Sequence, residues 1–536
     1  MQNFTSLESL VCSIQKISAK FHASRLTTPS TTNTKNNNYL QSALGPKIFN
    51  QINSLNCSLI LNEDKSYINS IKIKRIVQRD LNDLKIDCNS IKNRWKFFQN
   101  FEEISDEEKR FPIAFARTVY RDYLMLEQML SVEYAPHNVY CYSLDRKADK
   151  KFKERIRALS RCFSKNVFVS DEEYNVYSSG KNVSRSHLAC LEKLNKRKED
   201  WKYVVLLQNH DLPLRTNAEL VRIFKAYNGT NDIATKNIVP NTVVKSLDWS
   251  LKGLRLYRNE DVYPPNIKQL NHTKSLNLIV LSRAAVNFTL KQLNVYPFID
   301  QLEKSRYGMD EVLYSTLNSN LPDFPGGFTL DCLKYQNKIA NSMGRYVIWR
   351  TYGKQTNRCM SDYLRHDVCV YGVEDLPHIG RAILHFYLNK MVLYSTLNSN
   401  LPDFPGGFTL DCLKYQNKIA NSMGRYVIWR TYGKQTNRCM SDYLRHDVCV
   451  YGVEDLPHIG RAILHFYLNK MIPSFDYGAI FCWLSTLTAR RLSREININE
   501  KYYQQLPHVR YNNLKYLNQL HNNNVSNEEQ QHPFKC

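Results

Sequence analysis

The 536-residue sequence lacks a long apolar run, both at its N-terminus and further along the chain. The opening residues, MQNFTSLESLVCSIQKISAKF, are too polar for a signal peptide or a membrane span. We therefore expect either a soluble intracellular protein or a chain whose true start, with its anchor, is missing from this sequence.

Motifs for zinc and for nucleic acid are lacking as well. The 14 cysteines form no CxxC pair and no Cys/His spacing that suggests zinc, and there is no arginine-rich arm or RNA-binding aromatic motif. The formal charge is nevertheless +23, which fits either a generally basic surface or a partner rich in phosphate or sulfate. Because this charge is spread along the chain, we predict that nucleic acid is not a partner, although a basic nucleic-acid-binding protein stays an alternative.

The pattern of apolar residues is typical of a globular α/β protein, with 43% hydrophobic residues in all. Residues 1–105 are polar and include an Asn/Thr/Ser-rich section, so we expect a stem or linker there. From Phe111 to about residue 240, strand-like and helix-like segments alternate, which predicts a doubly wound, mostly parallel sheet. Ligands bind beyond the C-terminal ends of such strands, where this chain carries Tyr120, Asp145–Lys147 and Gln208–Asp211.

An 80-residue segment occurs twice in tandem without one substitution, as Val312–Met391 and Val392–Met471. A folded domain has room for one copy, since each strand position takes one occupant, and two copies are too few for a solenoid. We predict that one copy is surplus and arose from a recent exon duplication or a gene-model error, of which we favour the error. The surplus should include much of 330–440, with the docked residues drawn from the start of the first copy and the end of the second.

Several polar residues could act in chemistry, and each also has a structural interpretation. Asp145 could hold a nucleotide or sit in a solvated turn, and Glu311 could be a general base or a first-turn acid of a helix. His210 and Asp211 could have a chemical role, or they could simply shape a turn before a helix that is capped by Thr216 or Asn217. The lysine of NK ends a helical pattern, IGRAILHFYLNK, where it could be a C-terminal charge.

The combination and order of these segments resemble the core-2/I-branching β-1,6-N-acetylglucosaminyltransferases, glycosyltransferase family 14. The resemblance runs from about Phe111 to Trp483, and Gln208–Asn217 is its most specific block, similar to the family's sGqDfPlkTN. The blocks that carry it are FPIAF, VYCYSLDRK, CFSKNVFV, YSS, WKYVVLLQNHDLPLRTNAELVRIFK, YGMDE, CVYGVEDL and NK with a later D..AI.C.

The resemblance implies a GT-A-like fold and an inverting transfer of GlcNAc from UDP-GlcNAc to the 6-hydroxyl of Gal or GalNAc in O-glycans. It implies no cofactor and no divalent metal, and no Asp-x-Asp stands at a strand end. Alternatives are a peptide O-xylosyltransferase-like member of the family and a catalytically inactive sugar- or nucleotide-binding relative.

The resemblance also implies residue roles. Glu311 matches the catalytic base, and Lys470 is one of two cations that face the departing diphosphate in place of a metal. The residues implied in donor binding are Val119, Tyr120, Asp145, Lys147, Tyr177, Lys334, Trp349, Arg445 and Lys470. The chain departs from the family where His366 and His446 replace the phosphate-binding arginine, with Arg365 and Arg445 one residue earlier, and where Gly180 replaces a tryptophan.

Family disulfides map onto Cys141–Cys190, Cys88–Cys162, Cys57–Cys482, and Cys439–Cys449 or its copy Cys359–Cys369. With seven N-x-S/T sequons, they imply an oxidising compartment. By resemblance we expect a type II membrane protein of the Golgi lumen, acting on UDP-sugar and glycoprotein O-glycans, and attached to the membrane only through an anchor absent from this sequence. The domain boundaries that we predict are 1–105 (stem), 106–311 (nucleotide-sugar binding and catalysis), 312–391 and 392–471 (the two copies), 472–504 (end of the catalytic domain) and 505–536 (polar tail).

Overall fold

The computed structural model describes residues 34–61, 64–95, 97, 104–237, 243–328, 345–346, 359–365, 368–376, 379, 444–445, 448–449, 465–469, 471–496, 498–506 and 508–513. In the described part of the chain, the first strand is preceded by the short helices α1 Thr34–Leu44, α2 Pro46–Asn53, α3 Cys57–Leu61, α4 Lys65–Ile73, α5 Cys88–Arg94 and α6 Asp106–Lys109.

These N-terminal helices pack against the main core. Phe49, Ile60 and Ile91 are buried there among residues of the central sheet. The expectation of a polar stem over 1–105 is therefore wrong for residues 34–95. Their few apolar side chains gather on one side of short helices, which a high polar content conceals.

Strands and helices alternate in the next part of the chain, as predicted. The elements are β1 Ile113–Val119, α7 Tyr123–Glu133, β2 Val139–Leu144, α8 Lys150–Cys162, β3 Val167–Val169, α9 Val183–Asn195, β4 Tyr203–Gln208, β5 Leu212–Pro213, α10 Asn217–Tyr227, β6 Lys236–Asn237, β7 Thr273–Lys274, β8 Ile279–Ser282 and α11 Arg283–Lys291.

The central sheet has the order β3-β2-β1-β4-β8. Strand β1 pairs in parallel with β2 and β4, β2 pairs in parallel with β3, and β8 runs antiparallel at the edge. Along β1, Phe115 belongs to one buried cluster and Ala114 and Ala116 to another, so both faces of the sheet are covered. The predicted mixed α/β fold with a mostly parallel sheet is confirmed, and it fits a GT-A-like fold.

The remaining elements follow α11 in the chain. They are α12 Tyr296–Leu302, α13 Leu313–Asn320, β9 Arg345–Tyr346, β10 Leu364–Arg365, β11 Val368–Cys369, β12 Leu444–Arg445, β13 Val448–Cys449, β14 Tyr467–Leu468, α14 Pro473–Leu492 and α15 Glu500–Gln504.

Both copies of the repeat contribute to the core. In the first copy, the hairpin β10–β11 leads into the buried residues Tyr371, Val373 and Leu376. In the second copy, β14 lies between β5 and β9, antiparallel to the former and parallel to the latter. The docked residues thus come from the start of the first copy and the end of the second, as expected, but the stretch 359–376 is docked and not surplus.

Two further details of the repeat differ from or extend the sequence interpretation. Within the segment that ends in NK, which was read as helical, Tyr467–Leu468 of the second copy form the strand β14, which pairs with β5 and β9. The second copy also forms the hairpin β12–β13 in the register of the first, with Leu444 opposite Cys449 as Leu364 is opposite Cys369.

The chain segments on either side of the repeat are joined to each other. Arg75 makes ion pairs with Glu374 of the first copy and Asp476 behind the second, and Asp476 Oδ2 accepts a hydrogen bond from the Val373 amide at 2.8 Å. The disulfide Cys57–Cys482 connects α3 with α14. These contacts hold the hairpin β10–β11 beside the start of α14.

The predicted disulfides are confirmed for every pairing that lies within the described residues: Cys57–Cys482, Cys88–Cys162, Cys141–Cys190 and Cys359–Cys369. Cys439 lies outside the described residues. No helix in the described part of the chain is long and apolar enough to cross a membrane. The expected loose tail begins later than residue 505, because His508 and Val509 are buried.

Candidate functional site

A cavity of about 720 Å³ opens at the C-terminal ends of β1, β2 and β4, where an α/β sheet of this kind binds its ligand. Its charged lining residues are Arg121, Asp145, Lys147, Asp149, Asp310, Glu311 and Arg365. Uncharged lining residues include Tyr120, Tyr177, Gly180, Asn209, His210 and Asn469.

The end of β2 presents a carboxylate in a fixed orientation. Asp145 Oδ1 accepts hydrogen bonds from the backbone amides of Lys147 at 3.0 Å and Val176 at 3.3 Å. The Lys147 ammonium lies 4.0 Å from the centroid of the Tyr177 ring. Tyr177 is 47% exposed, so this carboxylate, cation and aromatic face form one wall of the cavity.

The loop after β4 organises the end of β1. Asn209 Oδ1 accepts hydrogen bonds from the amides of Tyr120 at 2.8 Å and Arg121 at 3.3 Å. Asp211 shapes the loop, since its Oδ2 accepts from the Gln208 amide at 2.7 Å. The interpretation of this block as turn-forming is therefore correct.

The predicted N-cap behind this loop is also confirmed. Thr216 caps α10 and forms a capping box with Glu219.

A partly buried group of His210, Asp122 and Arg121 stands beside this loop. His210 Nε2 lies 2.7 Å from Asp122 Oδ2, and Arg121 Nε lies 3.2 Å from the same oxygen. Burial opposes ionisation of Asp122, but the hydrogen bond from His210 and the nearby charges of Arg121 and Arg365 outweigh it and lower the pKa of this carboxyl. Asp122 thus stays ionised and offsets part of the positive charge at this side of the cavity.

Glu311 lies on a short 3₁₀ turn, Met309–Glu311, directly before α13. Its Oε2 is 2.7 Å from the ammonium of Lys274 on β7. Its backbone carbonyl accepts hydrogen bonds from the Ser275 amide at 2.7 Å and the Ser275 hydroxyl at 3.1 Å. The side chain and the backbone of Glu311 are therefore both held by consecutive residues, which fixes the carboxylate at the cavity wall.

The departure at Gly180 has a structural cause. A Cβ atom at this position would lie 2.1 Å from Asp310 Oδ1, and the residue has a φ of +102°. The amide of Gly308 donates to the Ser179 carbonyl at 2.7 Å. Glycine thus lets the 3₁₀ turn approach the Tyr177 loop closely enough to bring Glu311 into the cavity.

The repeat supplies Arg365 and Val368 of the first copy and Asn469 of the second copy to the cavity. Arg365 comes from the first copy, and within the described residues it has no carboxylate in ion-pair distance. Asn469 comes from the second copy, and its Nδ2 donates to Asp211 Oδ1 at 3.0 Å. This hydrogen bond anchors the residue next to Lys470 at the cavity.

The structure brings Tyr120, Asp145, Lys147, Tyr177 and Glu311 into one cavity. Val119 is fully buried and does not line it, but its carbonyl accepts a hydrogen bond from the Asp145 amide at 3.0 Å. Lys334, Trp349 and Lys470 lie outside the described residues, as does the side chain of Arg445, so their roles stay predictions.

Sequence reasoning missed Lys274 and Arg121. Lys274 is 37 positions before Glu311 and no local pattern connects the two. Arg121 stands beside Tyr120, which was singled out, so a wider window at this strand end would have found it.

Among the described residues, one group has the proximity of metal ligands: Cys359, Cys369 and Asp375. The two cysteines share a disulfide, so their sulfur atoms are not free to bind a metal.

The model of the Core-2/I-Branching enzyme family matches residues 113–380. The chain belongs to this family. In the core-2/I-branching enzyme described here, the match spans the central sheet, Glu311 and the lining residues of the cavity apart from Asn469, and it ends within the first copy of the repeat. The prediction of a glycosyltransferase is thereby confirmed.

Similar curated proteins are named as N-acetylglucosaminyltransferases. A Bos taurus beta-1,3-galactosyl-O-glycosyl-glycoprotein beta-1,6-N-acetylglucosaminyltransferase is 29% identical over 363 residues, 64% of this chain and 82% of the relative. A Bos taurus enzyme of the same name, number 3, is 30% identical over 61% of this chain and 76% of its own. A Homo sapiens N-acetyllactosaminide beta-1,6-N-acetylglucosaminyl-transferase is 29% identical over 59% of this chain and 75% of its own.

Proposed function

We propose that this core-2/I-branching enzyme transfers GlcNAc from UDP-GlcNAc to the 6-hydroxyl of a Gal or GalNAc residue in O-glycans, with inversion and without a divalent metal. The observation that carries the proposal is the placement of Glu311 in one cavity with Asp145, Lys147 and Tyr177. A base thus stands across a single cavity from a wall suited to a nucleotide. The names of the similar proteins support the donor and the linkage.

Donor binding follows from the wall at the end of β2. The Asp145 carboxylate, with one oxygen held by two backbone amides, has its other oxygen available to accept hydrogen bonds from uridine. The exposed ring of Tyr177, with Lys147 against it, offers a flat surface for the base. Because these groups are held by backbone contacts, little ordering is needed when the donor binds.

Transfer requires a base on the acceptor side. The Glu311 carboxylate takes the proton of the 6-hydroxyl as the hydroxyl oxygen forms a bond to C1 of GlcNAc. The bond between C1 and the phosphate oxygen breaks, and its electron pair leaves with UDP. Lys274 holds one carboxylate oxygen of Glu311 at 2.7 Å, which leaves the other oxygen for the acceptor proton.

The departing diphosphate gains negative charge, and cations supply its stabilisation in this proposal. Arg365 lines the cavity without a described acidic partner, which suits it to a phosphate. Lys470 follows Asn469, whose bond to Asp211 anchors this part of the second copy at the cavity. Together the two positive charges would do the work of a divalent ion.

The four disulfides support a location in an oxidising compartment of the secretory pathway. Within that pathway we propose the Golgi lumen, where O-glycan acceptors would be available.

The test is transfer from UDP-GlcNAc to Galβ1,3-GalNAc by the full chain, in the presence of EDTA. We expect a β-1,6-linked product. Glu311→Gln keeps the size and removes the base, so it should lower kcat by about 10²- to 10⁴-fold while UDP binding persists. Glu154→Gln, on an exposed face of α8, is the control and should be neutral. Full activity of the Glu311→Gln variant would exclude this carboxylate as the base, and loss of activity in EDTA would exclude metal independence.

A further inference from the structure

A second cavity, of about 340 Å³, opens beside the main one. It shares Arg121 and Arg365 with the main cavity, and its other lining residues are Tyr363, Ile472, Ser474 and Phe475. We call it the side cavity. The transfer described above takes place in the main cavity and assigns no ligand to this space.

The side cavity is positively charged. Its two ionisable lining groups other than Tyr363 are arginines, and no carboxylate lines it among the described residues. Asp122 lies behind Arg121 but also pairs with His210, so it offsets only part of the charge of Arg121 and Arg365. An arginine pair of this kind favours a planar or tetrahedral anion such as a carboxylate or a sulfate.

An aromatic surface stands next to these cations. The ring of Tyr363 is stacked on Phe475 with the centroids 4.5 Å apart, and Tyr363 is 46% exposed. The Arg75 guanidinium lies 4.3 Å from the Phe475 centroid, which holds the ring pair in place. An exposed, fixed aromatic face suits the apolar face of a sugar ring, and the exposed Ser474 adds a hydroxyl for hydrogen bonding.

We propose that the side cavity binds an anionic sugar of the acceptor glycan, one that carries a carboxylate or a sulfate next to the residue that receives GlcNAc. This proposal rests on the proposed function, since the shared arginines place the side cavity directly beside the transfer site. The side cavity selects acceptor glycans by their charge, and this selection gives a role to part of the net charge of +23.

The test compares two acceptors with the full chain: neutral Galβ1,3-GalNAc and the same disaccharide with a sulfate on Gal. The variant is Arg121→Ala, because Arg121 occurs once whereas Arg365 has an identical counterpart at Arg445. Arg121→Lys keeps the charge, and Arg161→Ala removes an exposed arginine that lines neither cavity.

We expect kcat/KM of the wild type to be about tenfold higher for the sulfated acceptor, the size of one charged hydrogen bond. Arg121→Ala should bring the ratio of kcat/KM for the two acceptors to about one, because it lowers transfer to the sulfated acceptor about tenfold more than transfer to the neutral one. Arg121→Lys should keep most of the preference, and Arg161→Ala all of it. Equal use of both acceptors by the wild type would overturn the proposal. So would an equal loss on both acceptors in Arg121→Ala with a raised KM for UDP-GlcNAc, since the arginine would then serve the diphosphate.

A failure of the proposed function would give a different pattern. If neither acceptor receives GlcNAc, the transfer assignment is wrong, and binding decides on the side cavity alone. Saturation-transfer NMR on the UDP-loaded protein should then show tighter binding of the sulfated disaccharide, lost in Arg121→Ala. Equal binding of both disaccharides would reject the site.

Discussion

The repeat allows one substitution to be made at two identical sequence positions, and among the described side chains the one from the first copy, Arg365, lies at the cavity. Arg365 of the first copy lines the main cavity together with Asn469 of the second. Its counterpart is Arg445, on the hairpin that repeats the same register. We predict that Arg365→Ala impairs transfer and that Arg445→Ala does not.

The magnitude follows from the surroundings of Arg365. It is half-buried, and no described carboxylate lies within ion-pair distance, so its charge is available to the diphosphate. Loss of one such contact in the transition state costs about 2 kcal/mol, the lower end for a preorganised donor because the side chain is partly solvated. This corresponds to a fall of about thirtyfold in kcat/KM. The assay is transfer from UDP-GlcNAc by the two single variants and the double variant.

An exchange of hairpins between the copies would refute this reasoning. In either arrangement the surplus 80 residues lie within the loops that join the docked parts, so the total length of the undocked chain is the same. If the hairpins exchanged freely, each single variant would keep about half of the wild-type activity, and only the double variant would lose it. A thirtyfold loss for Arg365→Ala alone would show that the first-copy hairpin is the one that functions.

Three further predictions concern the support of the site. Lys274→Met removes the ion pair that orients the Glu311 carboxylate, so in steady-state kinetics it should lower kcat about tenfold with little change in the KM for the donor, whereas Lys274→Arg should keep most of the activity. Asn469→Ala removes a hydrogen bond to the buried Asp211 and should destabilise the fold by about 1–3 kcal/mol in urea unfolding. Asn389→Ala, the same change in the first copy, should be neutral, and equal effects of the two variants would contradict the assignment of β14 to the second copy. Burial lowers the pKa of His508 from 6.5 to about 4, so the unfolded state takes up this proton at a higher pH than the folded state. The free energy of unfolding should therefore fall by about 2 kcal/mol from this residue as the pH drops from about 6.5 to about 4. His508→Phe should weaken this pH dependence in urea unfolding at pH 7 and pH 4.5, and an unchanged dependence would contradict the prediction.

The central sheet was predictable because its signals are local. Strands such as Val139–Leu144 are short apolar runs, and the helix that starts behind Thr216 has a capping box within four residues. Packing of the N-terminal helices was not predictable, since their apolar residues are too sparse to dominate the composition. The strand Tyr467–Leu468 was misjudged for a related reason: its neighbours on the sheet are distant in sequence.

At the candidate site, individual residues could be predicted from the sequence, but the contacts that hold them in place could not. A carboxylate at Glu311 and another at Asp145 can be found by motif, because each stands at the end of an element. Their support cannot, since Lys274 reaches Glu311 through β7 and Gly180 makes room for Asp310 from another loop. The glycine looked like a loss of a family residue, and the structure shows it as a condition for the close approach of two loops.

The disulfide Cys57–Cys482 closes a loop between residues that are 425 positions apart in sequence, and both copies of the repeat lie within this loop. Without one copy the separation would be 345, and the entropy of closing the loop depends on the logarithm of its length. The difference is only about 0.2 kcal/mol in folding free energy. An insertion within a covalently closed ring leaves the two ends of the ring where they were. This architecture therefore tolerates length variation during evolution in the segment between Glu311 and α14.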